Sequence, residues 1–335
     1  MIPWLVLGAS LPFVALLVAR PVVRRLAARS LARRPVEMTL VVVGSMLATA
    51  MLTGSVLVGD TVDRSIRAQA YDQLGPIDEV VAVSGLDAGE GLFAALDGFT
   101  HPDVDGVLEM VVAQAAVLGR GDEPLVRPTA QLIEVDFHAA GRFGDDPRAT
   151  GISGPTPEPG EAAITEDLAA EVRVGPGDRI TVFAYGGSVD LVVDRVLPRT
   201  GVAGFWPRPG QTSHNVFVAP GTVAGLVDGA DGTEPPTALV AVSNVGDVEG
   251  GVGRTDAVVA ALEEAVGSLE AGVRPAKQEL LDIADELGGA LGELYFTVGM
   301  FAVVAGILLL VNLFVMLADE RRHELGMLRA LGLRR

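Results

Sequence analysis

The chain has 335 residues, 49% of them hydrophobic but only 5% aromatic, with 43 acidic against 25 basic side chains, a formal net charge of −18 and no cysteine. The length exceeds one typical domain, the acidic balance speaks against nucleic acid as a partner because phosphates would be repelled, and any part outside the cell must fold without disulfides. The apolar residues are unevenly placed: three windows, 2–19, 38–59 and 294–318, hold no charged residue.

Window 2–19 reads as a transmembrane helix, at the lower limit of length for a hydrocarbon core about 30 Å thick. A signal-peptide core is the alternative, but a signal peptide carries its positive charge before the apolar run, and here only Met1 precedes it. Residues 20–37 follow with Arg20, Arg24, Arg25, Arg29, Arg33 and Arg34 against one acid, Glu37, which marks a cytoplasmic linker. Window 38–59 is long enough to span the bilayer. Within it Gly44 with Ala48, and Ala50 with Gly54, place small residues four apart, a spacing that lets a neighbouring helix approach closely.

Residues 60–290 hold 14 basic and 38 acidic side chains, a net of −24, and are expected outside the membrane. The stretch 60–75 repeats Val62, Ile66, Ala70 and Leu74 at steps of four with charges on the other sides, an amphipathic extension of the second window. Short Val-rich runs at 79–83, 107–119 and 124–136 read as strands and 86–98 as a helix. The Gly-, Pro- and Asp-rich run 141–160 reads as a long loop or subdomain junction. Beyond it come a strand, a short helix N-capped by Thr165 with Glu166 and Asp167 in its first turn, a Gly-Pro-Gly-Asp turn, and a hairpin of strands 179–185 and 188–198 around Gly186 and Gly187. Strands at 215–219 and 237–243 and a helix at 255–267 complete an α+β domain. Trp206 is the aromatic side chain best placed to touch a lipid or partner, with plain packing as the alternative.

Residues 276–293 place Leu280, Ala284, Leu287, Leu291 and Leu294 at alternating steps of four and three, coiled-coil spacing. With 60–75 they would form a helical stalk, bent where Gly288, Gly289 and Gly292 weaken the helix. Window 294–318 is the third span, and the Arg-rich tail 319–335 lies on the cytoplasmic side. The topology is then multi-pass in the cell membrane: N-terminus and 60–290 outside, 20–37 and 319–335 inside.

Catalytic patterns are sparse, and the chain is not expected to be an enzyme. The single lysine, Lys277, stands in RPAKQEL and not in a phosphate-binding Gly-Lys-Ser/Thr loop. Its being the only lysine fits a GC-rich coding sequence, from which no mechanism follows. His101, His138, His214 and His323 are scattered without ligand spacing, and no metal is expected. Asp103 and Asp105 in HPDVDG lack the remaining ligands of a calcium loop and read as a turn. Ser188 lies in a hairpin strand and not in a nucleophile elbow.

The tail is the informative stretch. Glu320, Arg321, Arg322 and Glu324 form a charged turn at the membrane exit, and Leu325, Leu328 and Leu331 follow at helical spacing with Gly326 and Gly332 interspersed. A positive-inside anchor accounts for the charge. A short helix along the inner surface, seated in a protein groove, accounts also for the acids and small residues.

The string DERRHELGMLRALGLRR resembles the motif that follows an outer domain and its membrane helix in FtsX-like or MacB-like permeases of ABC transporters. LAARSLARRPVEMTL, 26–40, is similar to the basic entry to that family's first core helix, and GEAAITEDLAAEVRVGPGDRITVF is similar to a recurrent piece of its outer core domain. The resemblance implies a multi-pass α-helical membrane protein with a large α+β extracytoplasmic domain, a MacB-like periplasmic core, on a helical stalk. It implies a coupling helix in the tail, in which Glu320, Arg321, Arg322, Glu324, Gly326, Arg329, Ala330 and Gly332 engage a separate cytoplasmic ABC ATPase. ATP would be bound by that partner and no cofactor by this chain. The other expected partners are a second permease copy or half and the lipid bilayer, and the expected cargo is a lipid, lipoprotein or peptide that is exported or extracted. Family members continue past such a tail with further membrane helices, and 2–19 looks like the linker helix of duplicated permeases, so this chain is expected to be a fragment or one half of a longer permease.

Two alternatives stay open at this point: a membrane-anchored extracytoplasmic sensor, and an ATPase-linked regulator of cell-wall enzymes that transports nothing.

Overall fold

The computed structural model describes residues 35–121, 123–205, 214–227 and 234–330. Two units make up the chain, residues 62–288 and, separately, residues 1–61 with 289–335; window 2–19, most of the Arg-rich linker and Trp206 lie outside the described residues.

Helix α1 (Pro35–Leu74) begins on a proline, whose fixed φ suits a first helical turn. It contains window 38–59 and continues without a break into the amphipathic stretch. Burial rises toward its C-terminus: Val62 and Ile66 are half-buried, while Ala70 and Leu74 are only 3% exposed. Gly75 ends it with φ +53, its N–H donating to Tyr71 O at 2.8 Å, the left-handed cap that glycine adopts without a Cβ penalty.

The large domain, called the outer domain after the side of the membrane expected for it, follows as β1 (Glu79–Ser84), α2 (Leu86–Leu96), β2 (Val104–Gly119), β3 (Leu125–Val135) and the single turn α3 (Phe137–Ala140). After the 141–160 segment come β4 (Glu161–Thr165), α4 (Glu166–Val172), β5 (Arg179–Ala184), β6 (Gly187–Leu197), β7 (Asn215–Val218), α5 (Thr222–Val227), β8 (Thr237–Asn244), α6 (Thr255–Val266) and β9 (Gly272–Arg274). Helix α7 (Ala276–Ala330) closes the described chain and runs through Gly288, Gly289 and Gly292 without interruption.

One strand organises the sheet. The first half of β2, Val104–Val112, pairs with β8, which pairs with β1 and through it β9. Its last four residues pair with β5, and its other edge holds β3. The pairings β3–β7, β7–β4, β4–β6 and β6–β5 then lead back to β2. Six strands therefore close a barrel, and four form an open antiparallel sheet that shares β2 with it. The register of β2 against β3 shifts between Ala115 and Val117, the kind of irregularity that bends and twists a strand. Pro128, which cannot donate to a ladder, stands opposite this irregularity.

Side-chain alternation separates the cores. In β8, Ala238, Val240 and Val242 face α2 and α6 with Leu92, Leu96, Val258 and Leu262, while Leu239 and Ala241 face Phe137, Phe143 and Phe205. A strand buried on both faces is apolar at nearly every position. The barrel fills with small branched residues such as Val117, Ile164, Ile180, Val182, Val193 and Val216, the filling expected of a small closed sheet.

The helical unit has a different surface. On α1, Val42, Val43, Met46 and Leu57 are more than half exposed, and so are Leu294, Phe296, Phe301, Ile307 and Leu308 on α7. Among the described residues one stretch, Ala276–Leu308, is long and apolar enough to cross a membrane, with mean hydropathy 1.8 over its most apolar window. Apolar surface on this scale calls for a cover of lipid or other helices. The coiled-coil seam expected at 276–293 fades along α7: Leu280 and Ala284 are buried, but Leu287 and Leu294 are 51% and 57% exposed.

Candidate functional site: a buried joint at the stalk roots

Both stalk helices enter the outer domain within a few residues of one another in space. The root of α1 is Gly75, Pro76, Ile77, Asp78 and Glu79, leading directly into β1; the root of α7 is Ala276 and Lys277, directly after β9. Since β1 and β9 are paired, the sheet itself brings the two roots together.

Lys277 is fully buried and its ammonium lies 2.8 Å from Asp78 Oδ1, which is 2% exposed. The same ammonium donates to Val248 O at 2.9 Å. The other oxygen, Asp78 Oδ2, accepts the Asn244 N–H at 2.8 Å, while Lys277 N–H donates to Asp78 O and Asp78 N–H to Val242 O. A buried ion pair stands only when its remaining hydrogen-bonding capacity is met, and here the ends of β8 and the 245–254 loop meet it. Gly251 is required by the packing, because a Cβ there would come 2.7 Å from Asp78 Oδ2.

Glu79 lies beside this pair with no exposed surface. Its Oε1 accepts from Asn244 Nδ2 at 2.8 Å, and the same amide donates to Gly251 O at 3.2 Å. Burial pushes the Glu79 carboxyl up to about 7, with Asn244 opposing the shift and Asp78 adding to it. Burial also raises Asp78, against the pull of Lys277. The joint therefore contains one cation and two acids in a space closed to water, a high-stakes polar cluster.

Contacts around the joint fasten each helix separately. At the α1 root a Cβ on Gly75 would fall 2.3 Å from Ala149 O, and Gly201 N–H donates to Asp72 O at 2.9 Å. The 141–160 segment, expected as a loop or subdomain junction, is thus a buttress: Phe143, Thr150 and Ile152 are buried, and Pro147–Thr150 forms a 3-10 turn. At the α7 root Arg274 pairs with Glu279. Between the helices, Arg67 of α1 pairs with Asp285 of α7, and Ala70, Leu74, Leu280 and Leu281 enter the core cluster that holds Met110 and Leu239 of the sheet.

A second polar cluster anchors α4 to β7. His214 Nδ1 is 3.1 Å from Asp167 Oδ2 and its Nε2 is 3.5 Å from Glu171 Oε2, with Arg199 near Asp167 and Arg127 near Glu171. Burial raises the Asp167 carboxyl, but hydrogen bonds from His214 and Thr165 outweigh it and hold the group below the usual carboxylate range. Thr165 occupies the N-cap position of α4 without capping it by its side chain, because its hydroxyl accepts the Asn215 N–H across the sheet.

The residues expected to couple to a partner fall elsewhere. Glu320, Arg321, Arg322, Glu324, Gly326, Arg329 and Ala330 lie on the last turns of α7, and Gly332 lies outside the described residues. The tail was expected as a separate short helix; through Ala330 it is the continuation of α7. Residues 317–330 contain no proline and one glycine, which costs only about 1 kcal/mol relative to alanine in a helix, so nothing breaks it. Gly44, Ala48, Ala50 and Gly54 lie on α1; Ala50 is exposed and no atom lies within 4 Å of a Cβ placed on Gly54, so no described residue supplies the close-packed neighbour at that position.

Sequence reasoning passed over the joint itself. Its available signal was the chain's single lysine, set two residues after Pro275 at the foot of the last helix.

No family model and no curated protein matches the sequence. Among solved structures the chain is similar to the periplasmic region of MacB from Actinobacillus actinomycetemcomitans, at 13% identity and a TM-score of 0.33, covering 62% of this chain and 94% of that one. It is also similar to a domain assigned to a permease protein from Porphyromonas gingivalis, at 12% identity and a TM-score of 0.34, covering 62% of this chain and 91% of that one.

Proposed function

We propose that the chain is the membrane subunit of an ABC-type permease that passes motion from a separate cytoplasmic ATPase into an outer domain acting on a lipid, lipoprotein or peptide. The observation that carries this reading is the joint: α1 and α7 each run unbroken from an apolar window to a root, and the Lys277–Asp78 pair fastens the two roots to each other and to the sheet. A displacement of one helix along its axis therefore loads the sheet directly. A domain merely tethered to a membrane needs only a flexible linker, whereas here the roots are buried and held by a charged pair. The tail motif supplies the other end of the lever, with Glu320 to Gly332 as the surface on which the ATPase sits.

The test is affinity purification of the tagged chain from its native membrane in mild detergent, beside a Glu324→Lys, Arg329→Glu variant. Recovery of an ABC ATPase with the native chain, and its loss with the variant at equal expression, is the expected result. No ATPase in either sample would sink the reading and leave the sensor as the better account.

A further inference from the structure

A groove separate from the joint crosses the outer domain where β2, the end of β3 and the turn after α2 meet, with a volume of about 840 Å³. The register of the sheet builds one wall: Val111 of β2 stands opposite Glu134 of β3, and the two-residue period puts Val107 and Glu109 on the same face. Asp97 from the turn and Asp136 from the end of β3 complete the lining carboxylates. Phe93, Phe99, Val107 and Val111 give the groove an apolar floor, and neither Arg nor Lys lines it.

Two of these acids, Asp97 and Glu109, lie close enough to repel one another. Burial raises the Glu109 carboxyl, and repulsion from Asp97 raises it further. Glu134 accepts the Val223 N–H and Asp136 the His138 N–H, whereas Asp97 and Glu109 are exposed. A volume of this size is that of an ordinary ligand cleft, and an apolar floor beneath a rim of single charge selects a ligand that is apolar and of opposite charge.

We propose that this groove is a binding site for a basic, amphipathic peptide segment, its apolar side chains on the Phe93–Phe99–Val107 floor and its cations against Asp97 and Glu109. A peptide suits the site better than a small monovalent cation because the carboxylates are spread over three elements and one charge would reach only some of them. The assignment stands on the groove alone and does not require the ATPase-coupled reading.

The test uses the full chain in nanodiscs of zwitterionic lipid, with empty nanodiscs subtracted, and the fluorescence anisotropy of a labelled eight-residue peptide of alternating Lys and Leu. Saturable binding that weakens with salt is expected, and an Asp97→Asn, Glu109→Gln variant should bind about tenfold more weakly, since two exposed ion pairs at up to about 1 kcal/mol each amount to that order. A Glu90→Gln, Glu263→Gln variant removes two exposed acids elsewhere and should bind as the native chain does. A Glu/Leu peptide and a Lys/Ser peptide should each bind at least tenfold more weakly than Lys/Leu. The proposal is overturned if Lys/Leu does not bind beyond the empty discs, if both double variants lose affinity equally, or if Lys/Ser binds as tightly as Lys/Leu. The last two outcomes would reduce the effect to the diffuse negative field of the domain.

Discussion

Lys277, the only lysine in a chain otherwise built with arginine, is completely buried. The choice has a physical reason. An ammonium is a compact point charge that Asp78 and Val248 O can satisfy, whereas a guanidinium brings five donors in a rigid plane and would leave several of them unmatched. Lys277→Met should therefore destabilise the outer domain by about 3–5 kcal/mol, because it strands a buried carboxylate. Adding Asp78→Leu to it should cost far less than the sum of the single changes, and a denaturant double-mutant cycle measures that difference. Additive losses would mean that the pair contributes nothing beyond packing. Glu79 makes a prediction of its own. Its folded pKa, raised to about 7 from an ordinary value of 4.5, means that the folded state holds a proton the unfolded state has released across that interval. Stability then falls as pH rises from about 4.5 to 7, by no more than about 3 kcal/mol at 1.36 kcal/mol per pH unit. Glu79→Gln should flatten that slope and raise the melting temperature at pH 8; an unchanged slope in a pH series of thermal melts would rule Glu79 out as its source.

At the scale of elements, the local patterns transferred well where a local cause decides them. The helix read at 86–98 is α2, Leu86–Leu96; the strand read at 124–136 is β3, Leu125–Val135; and the turn at Gly186 has φ +76, as a tight hairpin requires. What the sequence did not reveal depends on partners far away along the chain. Barrel closure rests on the parallel pairs β3–β7 and β4–β6, and a run of alternating valines is the same whether its neighbour is sequential or a hundred residues distant. The joint was illegible for the same reason. Asp78 and Lys277 stand at opposite ends of the outer domain and meet only because β9 pairs with β1, a three-residue strand too short to announce itself. The small-residue pattern of α1 and the charged tail were legible as patterns, but a pattern of that kind names a neighbour without saying which.

For the molecule as a whole, the proposed function requires α1 and α7 to pass motion through their fastened roots. The chain has no cysteine, so a pair of cysteines introduced at Arg67 and Asp285, whose side chains meet across the two helices, can be bridged by a short bis-maleimide without background. If relative movement of the helices drives the proposed cycle, the bridged protein reconstituted with the ATPase that the affinity purification recovers should lose most of its coupled turnover, while the two cysteines unbridged should not. Equal turnover with and without the bridge would mean that the stalk moves as one rod.

The shared strand has a consequence for the molecule's history. Because β2 is at once a stave of the barrel and a central strand of the open sheet, the two halves of the outer domain have no seam between them. Neither can be lifted out, traded for a counterpart or lost by deletion without tearing hydrogen bonds from the other. Variation is thereby expected at the rims, at the hairpin around Gly186 and the turns that flank the groove, where the surface can change without tearing the frame.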